Sequence, residues 1–84
     1  MNNKILVNLY IPMIEKKYEV FIPANKKISE IIYLIGISLS DITGGYYTYK
    51  KTEKLYSRIT GKEYNNNEIL KNTNIRNGTE LVFI

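Results

Sequence analysis

Apolar and polar residues alternate along the first part of the chain. From Lys4 to Ile11 every second residue is apolar, and Pro12 follows directly. The period of two predicts a strand, and proline ends it because proline donates no hydrogen bond to a ladder. The alternation returns over Lys17–Ile22. A short loop between two such segments predicts a β-hairpin, which Pro23 closes.

After Pro23 the period of the apolar residues changes to that of a helix. One stripe of apolar side chains carries this period: Ile28, Ile31, Ile32, Ile35 and Leu39. Asn25 is the candidate residue for capping the start of the helix. Gly36 and the serines at 38 and 40 indicate that the helix frays near its end.

The second half of the chain contains shorter predicted elements. In chain order they are a strand over Tyr46–Lys51, a strand over Leu55–Thr60, a polar loop over Gly61–Asn67 and a single helical turn over Glu68–Lys71. Asn77 and Gly78 form a strong turn signal. Thr79–Ile84 then alternates as a last strand.

The order of these elements predicts the fold class. A hairpin, one helix and a C-terminal strand are typical of the β-grasp architecture, an α+β fold. We expect a mixed four- to five-stranded sheet with one helix packed across one face. The first and last strands should lie parallel at its centre. A chain of 84 residues allows one domain, which we assign to residues 1–84.

Composition argues against catalysis. The chain contains no His, no Cys and no Trp. Cysteine-based metal and disulfide chemistry is therefore excluded, and the side chain that most often serves as acid, base or metal ligand is missing. No two acidic residues form a recognised catalytic pair, and no ligand spacing for a metal occurs. We expect no enzymatic activity, no metal and no cofactor.

Two stretches resemble the ubiquitin-like proteins. In the segment from Leu70 to Leu81, Leu70, Ile75, Gly78 and Leu81 are similar to the end pattern of that family. The helix entry, which runs through Pro23 and Ala24 into an Ile-rich helix, also fits. Within the family, the chain looks most like the small bacterial YukD/EsaB proteins. The loop over Gly61–Asn67 looks like an insertion relative to shorter members.

The resemblance to YukD/EsaB implies a function and a location. It implies an accessory role in the type VII secretion system of Gram-positive bacteria, with a protein partner and no catalysis. No export signal or apolar stretch of membrane-spanning length occurs, so we expect the protein to be cytoplasmic. Modifiers that are conjugated end in Gly-Gly, whereas this sequence ends at Ile84. Conjugation through a C-terminal Gly-Gly is therefore not expected.

Positive charge is concentrated in one segment, residues 46–62. Its cations are Lys50, Lys51, Lys54, Arg58 and Lys62, against Glu53 as the one acid, and the rest of the chain is neutral. Four tyrosines lie among them. Basic residues interleaved with aromatic ones bind single-stranded nucleic acid or an acidic protein segment. A solvated hairpin whose lysines keep a sheet edge soluble explains the pattern equally well. All three interpretations stay open.

The sheet face that the helix leaves uncovered is the preferred binding surface. If Leu81 and Phe83 point to the helix, Val82 and Ile84 point away from it. Tyr and Arg are enriched at binding hot spots. The residues that we expect to bind a protein partner are Tyr47, Tyr49, Arg58, Val82 and Ile84.

Apolar residues also lie off the main helix stripe, namely Tyr33, Leu34 and Ile37. A helix that is apolar beyond one stripe is buried on two sides or offers a contact. We favour a third interpretation, in which the helix ends before Ile37 and this side chain turns into the core.

Overall fold

The computed structural model describes residues 3–84 as one mixed sheet with a helix across it. In chain order the elements are β1 (Lys4–Ile11), a 3₁₀ turn (Pro12–Ile14), β2 (Lys16–Pro23), α1 (Ile28–Ile42), β3 (Leu55–Ser57), a 3₁₀ turn (Leu70–Asn72) and β4 (Glu80–Phe83). The strand order is β2-β1-β4-β3. The central pair, β1 and β4, is parallel, and both outer pairs are antiparallel. The predicted β-grasp fold is confirmed, with four strands.

The core lies between α1 and the sheet. The predicted helix stripe is buried, and it faces the alternate residues of the two central strands. These strand residues are Val7, Leu9, Ile11, Leu81 and Phe83, each at most 1% exposed. The pairing of Leu9 with Leu81 sets the register that brings both sets of side chains to the same face.

The segment from residue 66 to 69 covers the start of α1, whereas residues 62 to 64 pair with β3. The first N–H groups of a helix have no partner within the helix. Here the Ile28 N–H donates a hydrogen bond to the Glu68 carbonyl at 2.9 Å, and the Ser29 N–H donates one to the Asn66 carbonyl at 3.0 Å. Lys27 is the N-cap, and its N–H donates to Glu30 Oε1 at 3.3 Å. The prediction of Asn25 as the cap is therefore wrong.

The end of α1 lies beyond the predicted one. The helix continues through Ile37 to Ile42, so the predictions of fraying near Gly36 and of an end before Ile37 are wrong. Ser40 Oγ donates to the carbonyl of Gly36 at 3.2 Å, and Thr43 Oγ1 donates to that of Leu39 at 2.6 Å. The Ser40 hydroxyl is thus satisfied within the helix, and Thr43 is the C-cap at which α1 ends.

Residues 46–51 form a loop rather than the predicted strand. The predicted strand over Leu55–Thr60 is also shorter, since β3 ends at Ser57. Residues 43–54, which we call the crossover loop, therefore join α1 directly to β3 without a hairpin. Of the aromatic residues that predict a strand here, Tyr49 packs on α1, Tyr47 packs on Phe83 and Tyr46 is exposed.

The segment that carries the family resemblance packs into the core. Leu70, Ile75 and Leu81 are fully buried. Gly78 has a φ of +88°, and its N–H donates to the Leu6 carbonyl at 2.8 Å. The turn thereby ties the start of β4 to β1. No helix within residues 3–84 is long and apolar enough to cross a membrane.

Candidate protein-binding face

The side of the sheet opposite α1 is open. Alternation along each strand decides which side chains it presents. We call this surface the outer face. It consists of Leu6, Asn8 and Tyr10 of β1, Lys17, Glu19 and Phe21 of β2, Tyr56 of β3, and Glu80 and Val82 of β4. Their strand neighbours point to α1 instead.

A row of mostly apolar side chains crosses the outer face. Tyr10 pairs with Lys17 on one side and with Val82 on the other, and Val82 pairs with Tyr56. Side chains directly opposite on neighbouring strands are in reach of one another. Tyr10, Val82 and Tyr56 are each half-buried. The sheet therefore holds one tyrosine on each side of Val82, and part of each tyrosine ring is accessible to solvent.

Arg58 extends this row as an aromatic–cation pair. It follows β3 directly, and its N–H donates to the Glu80 carbonyl at 3.0 Å, which fixes its position beside β4. The guanidinium carbon lies 4.4 Å from the ring centroid of Tyr10. This distance is within the range for a cation–π interaction, which orients the guanidinium before any partner arrives.

Ile84 lies at the end of the same face. Its N–H donates to the Lys54 carbonyl at 3.1 Å, and the residue is 56% exposed. Strand alternation after Phe83 places this side chain on the side of Val82. The structure therefore brings Arg58, Val82 and Ile84 to one surface, as predicted.

Tyr47 and Tyr49 lie elsewhere, and their predicted placement on the outer face is wrong. Tyr47 is 2% exposed, and its ring packs on Phe83 with the centroids 6.0 Å apart. Tyr49 packs against Gly36 and Tyr33 of α1. The strand that this placement requires does not form, because the crossover loop packs the Tyr47 ring on Phe83 and the Tyr49 ring on α1.

Glu53 organises the crossover loop. This residue is 6% exposed, and its carboxylate accepts hydrogen bonds from the Tyr47 hydroxyl and from the N–H groups of Lys50 and Thr52, the latter two at 3.0 Å. Burial raises the pKa of this carboxyl, but the hydrogen bonds outweigh it and leave the pKa below its ordinary value. Burial and the bond to Glu53 raise the pKa of the Tyr47 hydroxyl.

The five predicted basic residues do not share one hairpin. Lys50 Nζ lies 5.5 Å from the centroid of Tyr47 and 2.8 Å from Met13 Sδ. Lys54 Nζ is 4.0 Å from Glu63 Oε2. Lys51, which has a φ of +68°, and Lys62 are exposed, and Arg58 lies on the outer face. Three of the five cations thus contact other side chains of the chain.

The apolar residues off the helix stripe are exposed. Tyr33 is 52%, Leu34 40% and Ile37 42% exposed. The favoured prediction, in which Ile37 turns into the core, is therefore wrong. Leu34 lines a groove between α1 and β2, whereas Ile37 does not.

Two residues of the outer face were missed in the sequence, Tyr10 and Tyr56. The sequence does contain a signal for Tyr10. In the well-defined strand β1 it alternates with Val7, Leu9 and Ile11, so its side chain must point to the opposite face. Tyr56 could not be oriented, because the limits of β3 follow from its pairing with β4 and not from its own short pattern. In the described residues no group of three or more acidic side chains could hold a metal ion.

Comparison with known proteins agrees with this geometry. No family model and no curated protein matches the sequence. Among solved structures, the ubiquitin-like domain of the Mycobacterium tuberculosis type VII secretion system protein ECCD1 is similar, with a TM-score of 0.75 at 14% identity over 100% of this chain and 99% of that one. The EccD5 ubiquitin-like domain from Mycobacterium xenopi has a TM-score of 0.71 at 16% identity, over 99% and 94% of the two chains. The chain has a ubiquitin-like fold.

The same architecture also occurs in an enzyme complex. A chain of the toluene 4-monooxygenase HD complex has a TM-score of 0.77 at 4% identity, over 95% of both chains. At such identities the likeness shows the fold alone. Function must therefore be argued from the surface.

Proposed function

We propose that this chain is a non-catalytic protein-interaction module that binds a component of a bacterial type VII secretion system through its outer face. The observation that carries the proposal is the row Tyr10–Val82–Tyr56 with Arg58 held over Tyr10. Tyr and Arg are among the residue types enriched at the hot spots that dominate the energetics of interfaces. The association with secretion rests on the sequence resemblance to YukD/EsaB and on the two similar domains from that system.

The layout of the outer face supports a protein partner of mixed polarity. Beside the tyrosine row runs a polar row, in which Asn8 pairs with Glu19 of β2 and with Glu80 of β4. An apolar strip with a polar margin is the usual anatomy of a protein interface. The carboxylates of Glu19 and Glu80 in this polar row would repel nucleic acid phosphates at the same surface.

The proposal is tested by capturing partner proteins from cells of the native host. The wild-type protein is compared with a double variant, Arg58→Glu with Val82→Asp. The matched control is Lys71→Glu with Ile37→Asp, which makes the same kinds of change at exposed positions away from the outer face. We expect the wild-type and control proteins to enrich a secretion-system component, and the double variant to lose it. Quantitative mass spectrometry of the captured proteins measures this. Equal capture by a double variant with a native NMR spectrum contradicts the proposal.

A further inference from the structure

A polar pocket lies between the loop at residues 60–68 and the segment at residues 73–74. Its volume is about 380 Å³. Small-molecule sites in proteins typically measure about 300–1,000 Å³. None of the residues that form the outer face lines this pocket. The pocket is therefore separate from the proposed protein-binding surface.

Backbone hydrogen bonds hold the loop that forms the pocket. The Ser57 N–H donates to the Lys62 carbonyl and the Tyr64 N–H donates to the Leu55 carbonyl, both at 2.9 Å. At the other end of the loop, the Glu68 carbonyl accepts from the first N–H of α1 at 2.9 Å. A loop that is fixed at both ends before a ligand arrives lowers the entropic cost of binding.

The pocket offers both hydrogen-bond donors and acceptors. The Oδ1 atom of Asn74 accepts from the Tyr64 hydroxyl, and that of Asn65 accepts from the Asn67 N–H, each at 2.8 Å. These bonds orient both side-chain amides and leave their NH₂ groups to donate, and neither group donates to another residue of the described chain. The Glu68 carboxylate supplies acceptors at the same pocket.

The charges at the pocket balance one another. Lys62 lines it together with Glu63 and Glu68. Outside the lining, Lys54 Nζ lies 4.0 Å from Glu63 Oε2. Two cations therefore oppose two carboxylates.

Two arginines lie close to the pocket in the sequence without lining it. The Arg58 guanidinium lies over the ring of Tyr10 on the outer face. Arg76 Nη1 donates to the carbonyls of Thr73 and Ile75, both at 2.7 Å. Both guanidinium groups are thus engaged elsewhere, and the pocket has no net charge.

This mixture of groups selects a neutral ligand with many hydroxyls. An anion would use the donors alone and meet two carboxylates, and a cation would use the acceptors alone and meet Lys62. A hydroxyl both donates and accepts, so a sugar ring can bond to the amides and the carboxylates together. The half-buried Tyr64 adds an apolar wall against which the C–H groups of a sugar can pack. An extended peptide finds no unpaired edge here, because residues 62–64 already pair with β3.

We infer that this pocket binds a neutral carbohydrate, either a single pyranose or one unit of a short glycan. Asn65, Asn74 and Glu68 form hydrogen bonds with its hydroxyls, and Tyr64 packs against its ring. The inference does not depend on the proposed role in secretion or on the outer face.

The test is an NMR titration of the ¹⁵N-labelled protein with N-acetylglucosamine, glucosamine and glucuronate, which share one ring and are neutral, cationic and anionic. We expect N-acetylglucosamine to cause saturable shifts of the amides of Thr60, Asn65 and Asn74, with a Kd of about 1 mM. The two charged sugars should bind at least about threefold more weakly, because each meets a like charge. Shifts that do not saturate, shifts confined to the outer face, or equal binding of all three sugars overturn the inference.

Two pairs of matched variants locate the site. Asn74→Ala removes an amide that lines the pocket, whereas Asn72→Ala removes an exposed amide that does not. Glu68→Gln neutralises a carboxylate of the pocket, whereas Glu15→Gln neutralises an exposed one outside it. We expect the first member of each pair to weaken binding of N-acetylglucosamine at least about threefold and the second to leave it unchanged.

Equal effects within a pair contradict a sugar site at this pocket. Where Asn74→Ala disturbs the native NMR spectrum away from the pocket, the Glu68 pair decides. A neutral Gly-Ser-Thr peptide covers the remaining alternative. If it bound the pocket as tightly as N-acetylglucosamine, the pocket would recognise peptide amides, and the inference would be wrong.

Discussion

At the scale of single residues, Glu53 has an unusual position for a carboxylate in a small protein. A buried charge is costly unless it is hydrogen-bonded, and Glu53 has three donors around it, from Tyr47, Lys50 and Thr52. These bonds hold a loop that has no ladder of its own. The crossover loop therefore depends on one side chain where a strand would depend on backbone pairing.

Glu53→Gln is expected to destabilise the protein by about 1–3 kcal/mol, because the amide replaces a charged acceptor and brings donors that face other donors. The pKa of Glu53 is lowered in the folded state, so its contribution is complete above the ordinary value of 4.5 and is lost as the pH falls through the folded pKa. Urea unfolding at pH 7 and at pH values below 4.5 measures both effects. The two proteins should converge in stability under acid. A constant difference across this pH range would exclude Glu53 as the titrating group.

Gly36 is a second residue with a specific role, since a Cβ there would collide with the ring of Tyr49. Alanine ordinarily stabilises a helix by about 1 kcal/mol relative to glycine. Here Gly36→Ala is expected to lower the free energy of unfolding by about 1–3 kcal/mol, because the ring must leave the helix surface. In the Tyr49→Ala background the same change should be neutral or stabilising. A double-mutant cycle by chemical denaturation measures the coupling, and additive effects would show that the two residues do not share this contact.

At the scale of elements, the sequence predicted those parts of the fold that depend on local periodicity. The alternation around Val7 and Leu9 and the stripe around Ile31 and Ile35 were long enough to define β1, β2 and α1. The composition around Tyr47 and Tyr49 was misleading, because aromatic residues of a loop that packs on the core resemble those of a strand. For the same reason the sequence indicates only part of the composition of the outer face. The alternation of side chains along a strand is enough to place Arg58, Val82 and Ile84. Tyr10 and Tyr56 join them only through strand pairings between distant segments.

The turn before β4 offers a test at this scale. Gly78 has a positive φ of +88° and open space where a Cβ would stand, so a substitution there strains the backbone alone. Gly78→Ala is expected to cost about 1–2 kcal/mol. Gly78→Asn should cost less, because asparagine tolerates positive φ better. Thermal unfolding of the three proteins gives the order. Equal stability of all three would mean that the turn relaxes without loss of the bond to Leu6.

At the scale of the whole molecule, the outer face uses side chains of all four strands, whereas α1 covers the opposite side of the sheet.

The distribution of charge argues against the alternative of a nucleic-acid-binding protein. Single strands follow a continuous basic groove, and the affinity falls with salt in proportion to the phosphates contacted. Here Lys50, Lys54 and Arg58 each contact a side chain of the protein, and they do so in different parts of the fold. We therefore expect no saturable binding of single-stranded oligothymidine at about 50 mM salt, as measured by fluorescence anisotropy. Binding at about 50 mM that is lost by about 200 mM salt, and that Lys50→Glu with Lys51→Glu abolishes, would instead identify the basic segment as the functional site.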